Sequence, residues 1–164
     1  MIKLDIVSAI PDSDTNGTQL SSADLRRAVV IVEKHLDHQL DGVIAVKFVD
    51  RGESRDYNQR FAQQDYATDV LSFAYNEVES SPVTENALGD IVICTPIAAE
   101  QAQQYGIPLR AEITLLLVHG ILHIAGFDHQ HQESAAKTSF AQIQNAIMEE
   151  LGLPAREYFD DHHH

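Results

Sequence analysis

The feature that most constrains this chain is the segment Ile113–Ile124, which is apolar on almost every side when placed on a helix. Its sequence is ITLLLVHGILHI. A helix that is apolar all round has to be covered by other elements on every face. The segment therefore predicts a central buried helix, running from after Pro108 to about Ala125, with the rest of the chain packed around it.

Two histidines, His119 and His123, interrupt this apolar run four residues apart, which places them on one face of the helix. A buried imidazole without a partner would cost about 1–3 kcal/mol. Gly126 can end the helix in a left-handed conformation, after which the chain can reverse and return His129 to the same place. The spacing H-x3-H-x5-H predicts a metal site at the end of the helix, with His119, His123 and His129 as ligands and a fourth position open.

The ligand set favours one zinc ion (Zn²⁺), although nickel, copper and iron also accept imidazole. The spacing matches the metzincin frame, but Gly120 stands where a protease of that class has its general-base Glu. This difference argues against peptide hydrolysis, and a glycine inside a helix also predicts close approach of another element. Three neutral imidazoles leave the ion its full charge, which suits the anionic oxygens of a phosphodiester.

The rest of the chain alternates between strand and helix patterns. Period-two alternation and β-branched runs predict strands at 2–7, 43–49, 68–75 and 89–95, and an acidic loop is predicted at 76–88. Capping residues and apolar periodicity predict four further helices: from Ser21 or Ser22 to about Leu40, at 53–61, at 96–105 and at 132–151. Gly42 is predicted to end the first of them.

This order predicts one α+β domain over residues 1–157, in which a small mixed four-stranded sheet is covered by about five helices. Residues 158–164 are predicted to be a tail. It ends in three histidines that are either native or the remnant of a purification tag, so they are excluded from the site.

The charge balance limits the partners that the whole surface can take. Eleven basic and 25 acidic side chains give a formal net charge of −14, which argues against a broad surface for a polyanion. Four of the cations nevertheless fall within fourteen positions: Lys47, Arg51, Arg55 and Arg60. A local basic patch and an ordinary solvated face both fit this pattern.

Location is predicted from three features. No apolar run reaches the roughly 18 residues of a membrane span. The N-terminal segment has no continuous apolar core of the kind that signal peptides contain, and Cys94 is the only cysteine. Together these features predict a cytoplasmic protein without a membrane partner.

The histidine segment HGILHIAGFDH, residues 119–129, resembles the signature H-G-x-L-H-L-x-G-Y-D-H of the YbeY-type endoribonucleases, with Ile124 for Leu and Phe127 for Tyr. ALGDIVIC at 87–94 resembles the family's L-G-D-I-x-I strand, and TDVLSF at 68–73 matches its T-D-V-L-S-F segment. The resemblance covers roughly residues 57–129, where the preceding L-N-x-x-Y/F-R-G-x-D-x-P stretch is fitted by Asn58, Phe61 and Asp65.

The resemblance implies a single-strand-specific, metal-dependent endoribonuclease in the cytoplasm. It implies a role in maturing the 3′ end of small-subunit ribosomal RNA (rRNA) and in ribosome quality control, with zinc on His119, His123 and His129. The expected partners are single-stranded RNA, rRNA and the small ribosomal subunit. The sequence does not specify an oligomeric state.

The chain departs from the family pattern just before the third strand. Ala62 stands where the family has an Arg that is expected to hold RNA phosphate, Gln63 stands for Gly and Ala67 for Pro. Arg60 lies two residues away and is a candidate to contact RNA in place of the family Arg.

Two other residues are candidates for a catalytic role. Asp128 could orient a ligand imidazole or act as base for bound water, or it could be an Asx-turn residue. Ser72 could face the cleft or be an ordinary strand residue.

Two other functions remain open. One is a zinc hydrolase of another substrate class. The other is a ribosome-associated RNA-binding protein whose zinc is mainly structural. Structural zinc sites usually fill all four positions, and no fourth ligand is evident, so an open catalytic site is favoured.

Overall fold

The computed structural model describes residues 1–11, 19–75, 86–127, 134–154 and 156–158, with the backbone alone for 134–139. In chain order the elements are β1 (Ile2–Ile6), α1 (Ser22–His35), β2 (Gly42–Val49), α2 (Arg51–Ala62), β3 (Val70–Ala74), β4 (Ala87–Cys94), α3 (Thr95–Tyr105), α4 (Leu109–Ile124) and α5 (Ser134–Glu150).

The four strands form one mixed sheet in the order β1-β2-β4-β3. β1 pairs with β2, and β2 with β4, in parallel, whereas β3 runs antiparallel to β4 along one edge. Parallel neighbours need crossover connections, and α1 supplies the one between β1 and β2. The predicted α+β class, with a small mixed four-stranded sheet and about five helices, is confirmed.

Each face of the sheet carries an apolar cluster, one large and one small, and alternate residues of β4 point into each of them. Ile91 and Ile93 belong to the main core, which α1, α4 and α5 complete. Val92 and Cys94 point the other way into a smaller cluster that contains Tyr57 of α2. α4 is therefore covered on all sides, as its sequence predicts, and it places its C-terminal histidines on the main-core side of the sheet.

The first helix is shorter than predicted, ending at His35 rather than near Leu40. β1 pairs with β2 in a register that sets Ile2 opposite Gly42, so the chain has to return to the start of β1 by that point. Leu36 turns to an extended conformation, and the carbonyl of Leu40 then accepts a hydrogen bond from the Met1 ammonium at 3.0 Å.

Gly42 begins β2 and does not cap α1, contrary to the prediction. A Cβ atom at this position would lie 2.2 Å from the backbone oxygen of Asn86, so only glycine permits this approach. The glycine that looks like a helix stop in the sequence is required by a neighbouring chain segment.

The second helix is longer than the predicted 53–61, and it ends on Gln63 in the left-handed conformation, with φ of 56°. This is the position at which the resembling family has Gly. A side chain in this conformation costs roughly 1–2 kcal/mol relative to the right-handed region, so the chain keeps the backbone turn at an energetic cost.

No single helix among the described residues is long and apolar enough to cross a membrane. α3 and α4 meet the length and hydropathy criteria only as a pair, and a 115° bend separates them.

Candidate metal centre

The last two turns of α4 bring two of the predicted ligands together. His119 is buried, with 2% of its surface exposed, and His123 is half-buried one turn later. Their Nε2 atoms face each other at 2.8 Å. The i,i+4 spacing therefore converges two ring nitrogens on one point, as the sequence predicts.

Gln144 of α5 fixes the orientation of the His119 ring. Its side-chain Nε2 donates to the carbonyl of Tyr158 at 3.3 Å, which leaves its Oε1 facing His119 Nδ1 at 2.6 Å. An amide oxygen only accepts hydrogen bonds, so Nδ1 of His119 carries the proton and donates it. His119 Nε2 is then the nitrogen with the lone pair, and it is aimed at His123.

Two aromatic rings pack against the imidazoles. The ring of Phe140 on α5 lies 5.0 Å from His119 and 5.2 Å from His123, centroid to centroid. Tyr158 packs edge-on against His119 at 4.4 Å. These contacts hold both rings in an apolar setting, where an electrostatic interaction is stronger than in water.

The pair fits a divalent cation. Two imidazoles that bind Zn²⁺ tetrahedrally at about 2.0–2.1 Å hold their nitrogens about 3.3 Å apart, close to the 2.8 Å observed. In the geometry described, a proton on His123 Nε2 can bridge the two nitrogens, and an ion would replace that proton. His119 donates its Nδ1 proton to Gln144 Oε1, on the side of the ring away from His123. Metal-binding histidines usually show such a hydrogen bond from the ring nitrogen that does not bind the metal.

Two predicted site residues, Asp128 and His129, lie outside the described residues. Their roles, including that of the third ligand, stay predictions. Within the described ranges no group of three or more His, Cys, Asp and Glu side chains could hold a metal ion, and His119 and His123 there form a pair.

Gly120 allows α4 to lie close against the sheet, as predicted. A Cβ atom at this position would come within 3.0–3.2 Å of three side-chain atoms of Ile91. A longer residue would push the helix from β4. The absence of the protease Glu thus has a packing reason, since Gly120 faces the sheet and not open space.

Ser72 lies half-buried on β3, directly opposite Ile91 of β4. Residues that face each other across an antiparallel pair point to the same side of the sheet. Ser72 is therefore on the side that α4 covers, on the edge strand, and its catalytic role stays a prediction.

Arg60 is exposed at the end of α2, with its guanidinium 5.8 Å from the ring of Phe61. Phe61 packs on Phe73 at 5.0 Å, and Phe73 belongs to the small apolar cluster on the sheet side opposite α4. The structure does not bring Arg60 next to the histidines. Its predicted contact with RNA stays a prediction.

The three other cations of the predicted basic cluster are paired with carboxylates. Arg51 pairs with Glu100, Arg55 donates to Asp65 at 2.7 Å, and Lys47 lies 3.6 Å from Glu53. The hydrogen bond with Asp65 raises the pKa of Arg55 and lowers that of Asp65. This pattern favours the solvated face over a basic patch made by all four residues.

The sequence analysis missed a set of polar residues behind His119. Tyr158, which the prediction assigned to the tail, is buried, and its hydroxyl donates to Asp69 at 2.7 Å. Gln101, with its amide nitrogen turned toward the carboxylates, donates to Glu112 at 2.8 Å and to Asp69 at 3.3 Å. The available signals were Glu112 inside an apolar helix and Gln144 on the apolar side of α5.

Arg156 completes this set from the C-terminal segment. Its Nε donates to Glu112 at 2.7 Å, and the guanidinium lies 4.2 Å from the ring of Tyr105 and 4.9 Å from that of Tyr158. Burial alone would lower the pKa of Arg156, but the hydrogen bonds and the charge of Glu112 outweigh it and raise the pKa. Arg156 is therefore charged at any pH near neutrality.

Two further residues have pKa values that burial raises. Burial and the carboxylate of Asp90 raise the pKa of Tyr75 to about 12. Burial also raises the pKa of the Cys94 thiol, which lies in the small apolar cluster. Neither group ionises near neutral pH.

The fold and the paired imidazoles define a small α+β protein with an HxxxH pair at the end of its buried central helix. The family model of endoribonuclease YbeY matches residues 12–152 of the chain. The chain belongs to the endoribonuclease YbeY family.

Individual relatives agree with the family match. The chain is 42% identical over 114 residues to endoribonuclease YbeY of Paraburkholderia phytofirmans, covering 70% of this chain and 71% of that protein. It is 39% identical over 130 residues to endoribonuclease YbeY of Persephonella marina, covering 78% and 81%. The solution structure of TM1509 from Thermotoga maritima is similar, with a TM-score of 0.57 and 28% identity over 92% of this chain and 89% of that one.

Proposed function

We propose that this protein is a metal-dependent endoribonuclease that hydrolyses phosphodiester bonds in single-stranded RNA, with one Zn²⁺ held by His119, His123 and His129. The observation that carries the proposal is the convergence of the His119 and His123 Nε2 atoms at 2.8 Å, with His119 oriented by Gln144. Membership of the endoribonuclease YbeY family supports the reaction class.

Each residue of the pair has a defined task. His119 presents a lone pair on Nε2 because its Nδ1 proton is given to Gln144. His123 supplies the second Nε2 and, being half-buried, is the more accessible residue of the pair. When bound, a divalent ion supplies positive charge that stabilises the anionic oxygens of a phosphodiester.

The biological substrate that we propose is the 3′ end of small-subunit rRNA, with the small ribosomal subunit as partner, in the cytoplasm. The support is the eleven-residue histidine segment, which resembles the signature of the rRNA maturation factors. A net charge of −14 makes a purely electrostatic hold on free RNA weak, so recognition on the ribosome suits this chain better than binding of any RNA.

Metal-dependent cleavage of single-stranded RNA tests the proposal. We expect the purified protein to cleave a labelled single strand internally, to lose this activity after chelation, and to regain it when Zn²⁺ is added back. The same strand annealed to its complement serves as the matched substrate and should resist cleavage.

Two results would contradict this function. Equal cleavage of strand and duplex would overturn the single-strand specificity. RNA binding without cleavage by the zinc-loaded protein would favour the second candidate, an RNA-binding protein with a structural zinc. The observation that favours this second candidate is Ala62, which stands where the family has the Arg that is expected to hold RNA phosphate.

A separate prediction concerns Arg60 and Ala62, which lie at and near the position where the family has its Arg. Arg60 lies beside Phe61, whose side chain is 51% exposed, and a cation next to an exposed aromatic ring suits an RNA base and its phosphate. We expect Arg60→Ala to weaken RNA binding severalfold and to lower the salt slope by about 1, and Ala62→Arg to increase cleavage.

RNA binding by Arg60→Ala and RNA cleavage by Ala62→Arg are each measured at two salt concentrations and compared with the wild type. Arg27→Ala, which removes an exposed cation from α1, is the matched control and should change neither value. An unchanged salt slope in Arg60→Ala would exclude Arg60 from the RNA contact.

A further inference from the structure

We propose that Gln144 is a positioning residue for the metal centre: it orients His119 through Nδ1 and, as an uncharged acceptor, sets the zinc affinity of the site. This inference rests on the proposed role of His119 as a ligand. The contact is short and sheltered, since Oε1 lies 2.6 Å from Nδ1 and Gln144 is 1% exposed.

The direction of the hydrogen bond follows from the second contact of Gln144. Its Nε2 donates to the Tyr158 carbonyl, which only accepts, so the amide cannot turn over without losing a buried hydrogen bond. Oε1 therefore always faces His119 and selects the tautomer with the proton on Nδ1. In this tautomer Nε2 is free of a proton of its own and can bind a cation.

The C-terminal segment in turn holds Gln144. Tyr158 places its carbonyl on Gln144, its ring edge-on to His119 at 4.4 Å, and its hydroxyl on Asp69 of the loop before β3. Tyr158 thus connects Gln144, the hydrogen-bond partner of His119, to the loop that precedes β3. A segment of three described residues near the chain end, 156–158, belongs to the support of the site.

The choice of an amide has a chemical consequence. A carboxylate on the outer nitrogen makes an imidazole more basic and a stronger ligand. A neutral amide orients the ring without adding charge. The bound ion then keeps more of its own positive charge, which favours electrophilic chemistry at some cost in affinity.

Three variants at two positions of α5 test the inference. Gln144→Met keeps the length of the side chain and removes the acceptor. Gln144→Glu keeps an acceptor toward His119, adds charge and gives up the donation to the Tyr158 carbonyl. Gln142→Met makes the same change as Gln144→Met at an exposed position two residues away. Zn²⁺ affinity is measured by competition with a chromophoric chelator. Long-range ¹H–¹⁵N spectra of the metal-free proteins identify the protonated ring nitrogen of His119.

We expect Gln144→Met to bind Zn²⁺ about 10–100-fold more weakly and to lose the pure Nδ1–H tautomer. Gln144→Glu should keep this tautomer and bind at least as tightly as the wild type, and Gln142→Met should match the wild type in both measurements. If Gln144→Met does not fold, Gln144→Glu still tests the inference. A zinc affinity below that of the wild type in a folded Gln144→Glu would overturn it.

The experiment separates this inference from the proposed function. If wild type and a folded His123→Ala bind Zn²⁺ equally, the metal site itself is wrong. If a folded His123→Ala loses Zn²⁺ and a folded Gln144→Met keeps wild-type affinity and tautomer, the metal site stands and the role of Gln144 is overturned.

Discussion

Replacing His123 with alanine is expected to abolish RNA cleavage and to remove the bound Zn²⁺ at the same time. Structural zinc sites with four ligands are worth about 10–16 kcal/mol, so one ligand accounts for about 3 kcal/mol, or about a hundredfold or more in affinity. His123 is the better choice for this test because it is half-buried, whereas removal of the buried His119 also disturbs the core. Metal content by mass spectrometry and cleavage of single-stranded RNA measure the two losses.

His38→Ala is the matched control, because His38 is exposed and contacts the neighbouring Asp37 rather than the site. It should keep both zinc and activity. A His123→Ala protein that is folded and still holds one equivalent of zinc would show that the convergent pair on α4 is not the metal site.

Replacing Arg156 with methionine is expected to destabilise the protein by about 3–5 kcal/mol, because it leaves a buried carboxylate without its partner. Glu112 is 0% exposed at its side chain and Arg156 only 8%, so water cannot replace the lost guanidinium. In a chain of this size the loss lowers the melting temperature by about 10 °C or more. Urea denaturation gives the change in the free energy of unfolding.

The double variant Arg156→Met with Glu112→Leu should recover most of this loss, since an apolar pair in place of a buried ion pair is often neutral. Arg51→Met is the control: Arg51 pairs with Glu100, but both side chains are about half exposed or more, so the change should cost under about 1 kcal/mol. Equal destabilisation by Arg51→Met and Arg156→Met would contradict the assignment of the buried pair.

Tyr158 is a residue whose role could not be predicted from local sequence patterns. A tyrosine six residues from the end of the sequence, next to DDHHH, is typical of a tail in composition. Its hydrogen bond to Asp69 joins residues 89 apart in the chain. Periodicity and capping rules describe neighbours along the chain, so they cannot predict such a contact.

The same limit explains Gly42 and Gln144. Gly42 follows a helical pattern and looks like a cap, but the backbone oxygen of Asn86, brought in by β4, is the reason for glycine. Gln144 differs from the other polar residues of α5 because it lies on the apolar side of the helix, but its partner cannot be predicted locally: the partner is a histidine 25 positions earlier, 2.6 Å away.

The mixed α+β fold, the buried central helix and the pairing of His119 with His123 can all be predicted from the amino-acid sequence alone. These follow from periods of two and 3.6 residues and from the i,i+4 spacing, which act within a few turns of chain. The positions of Gln144, Tyr158 and the ion pair of Arg156 with Glu112 behind the histidines are visible only in the folded protein. A buried polar group has to find its partner wherever packing brings one, and packing depends on the whole chain.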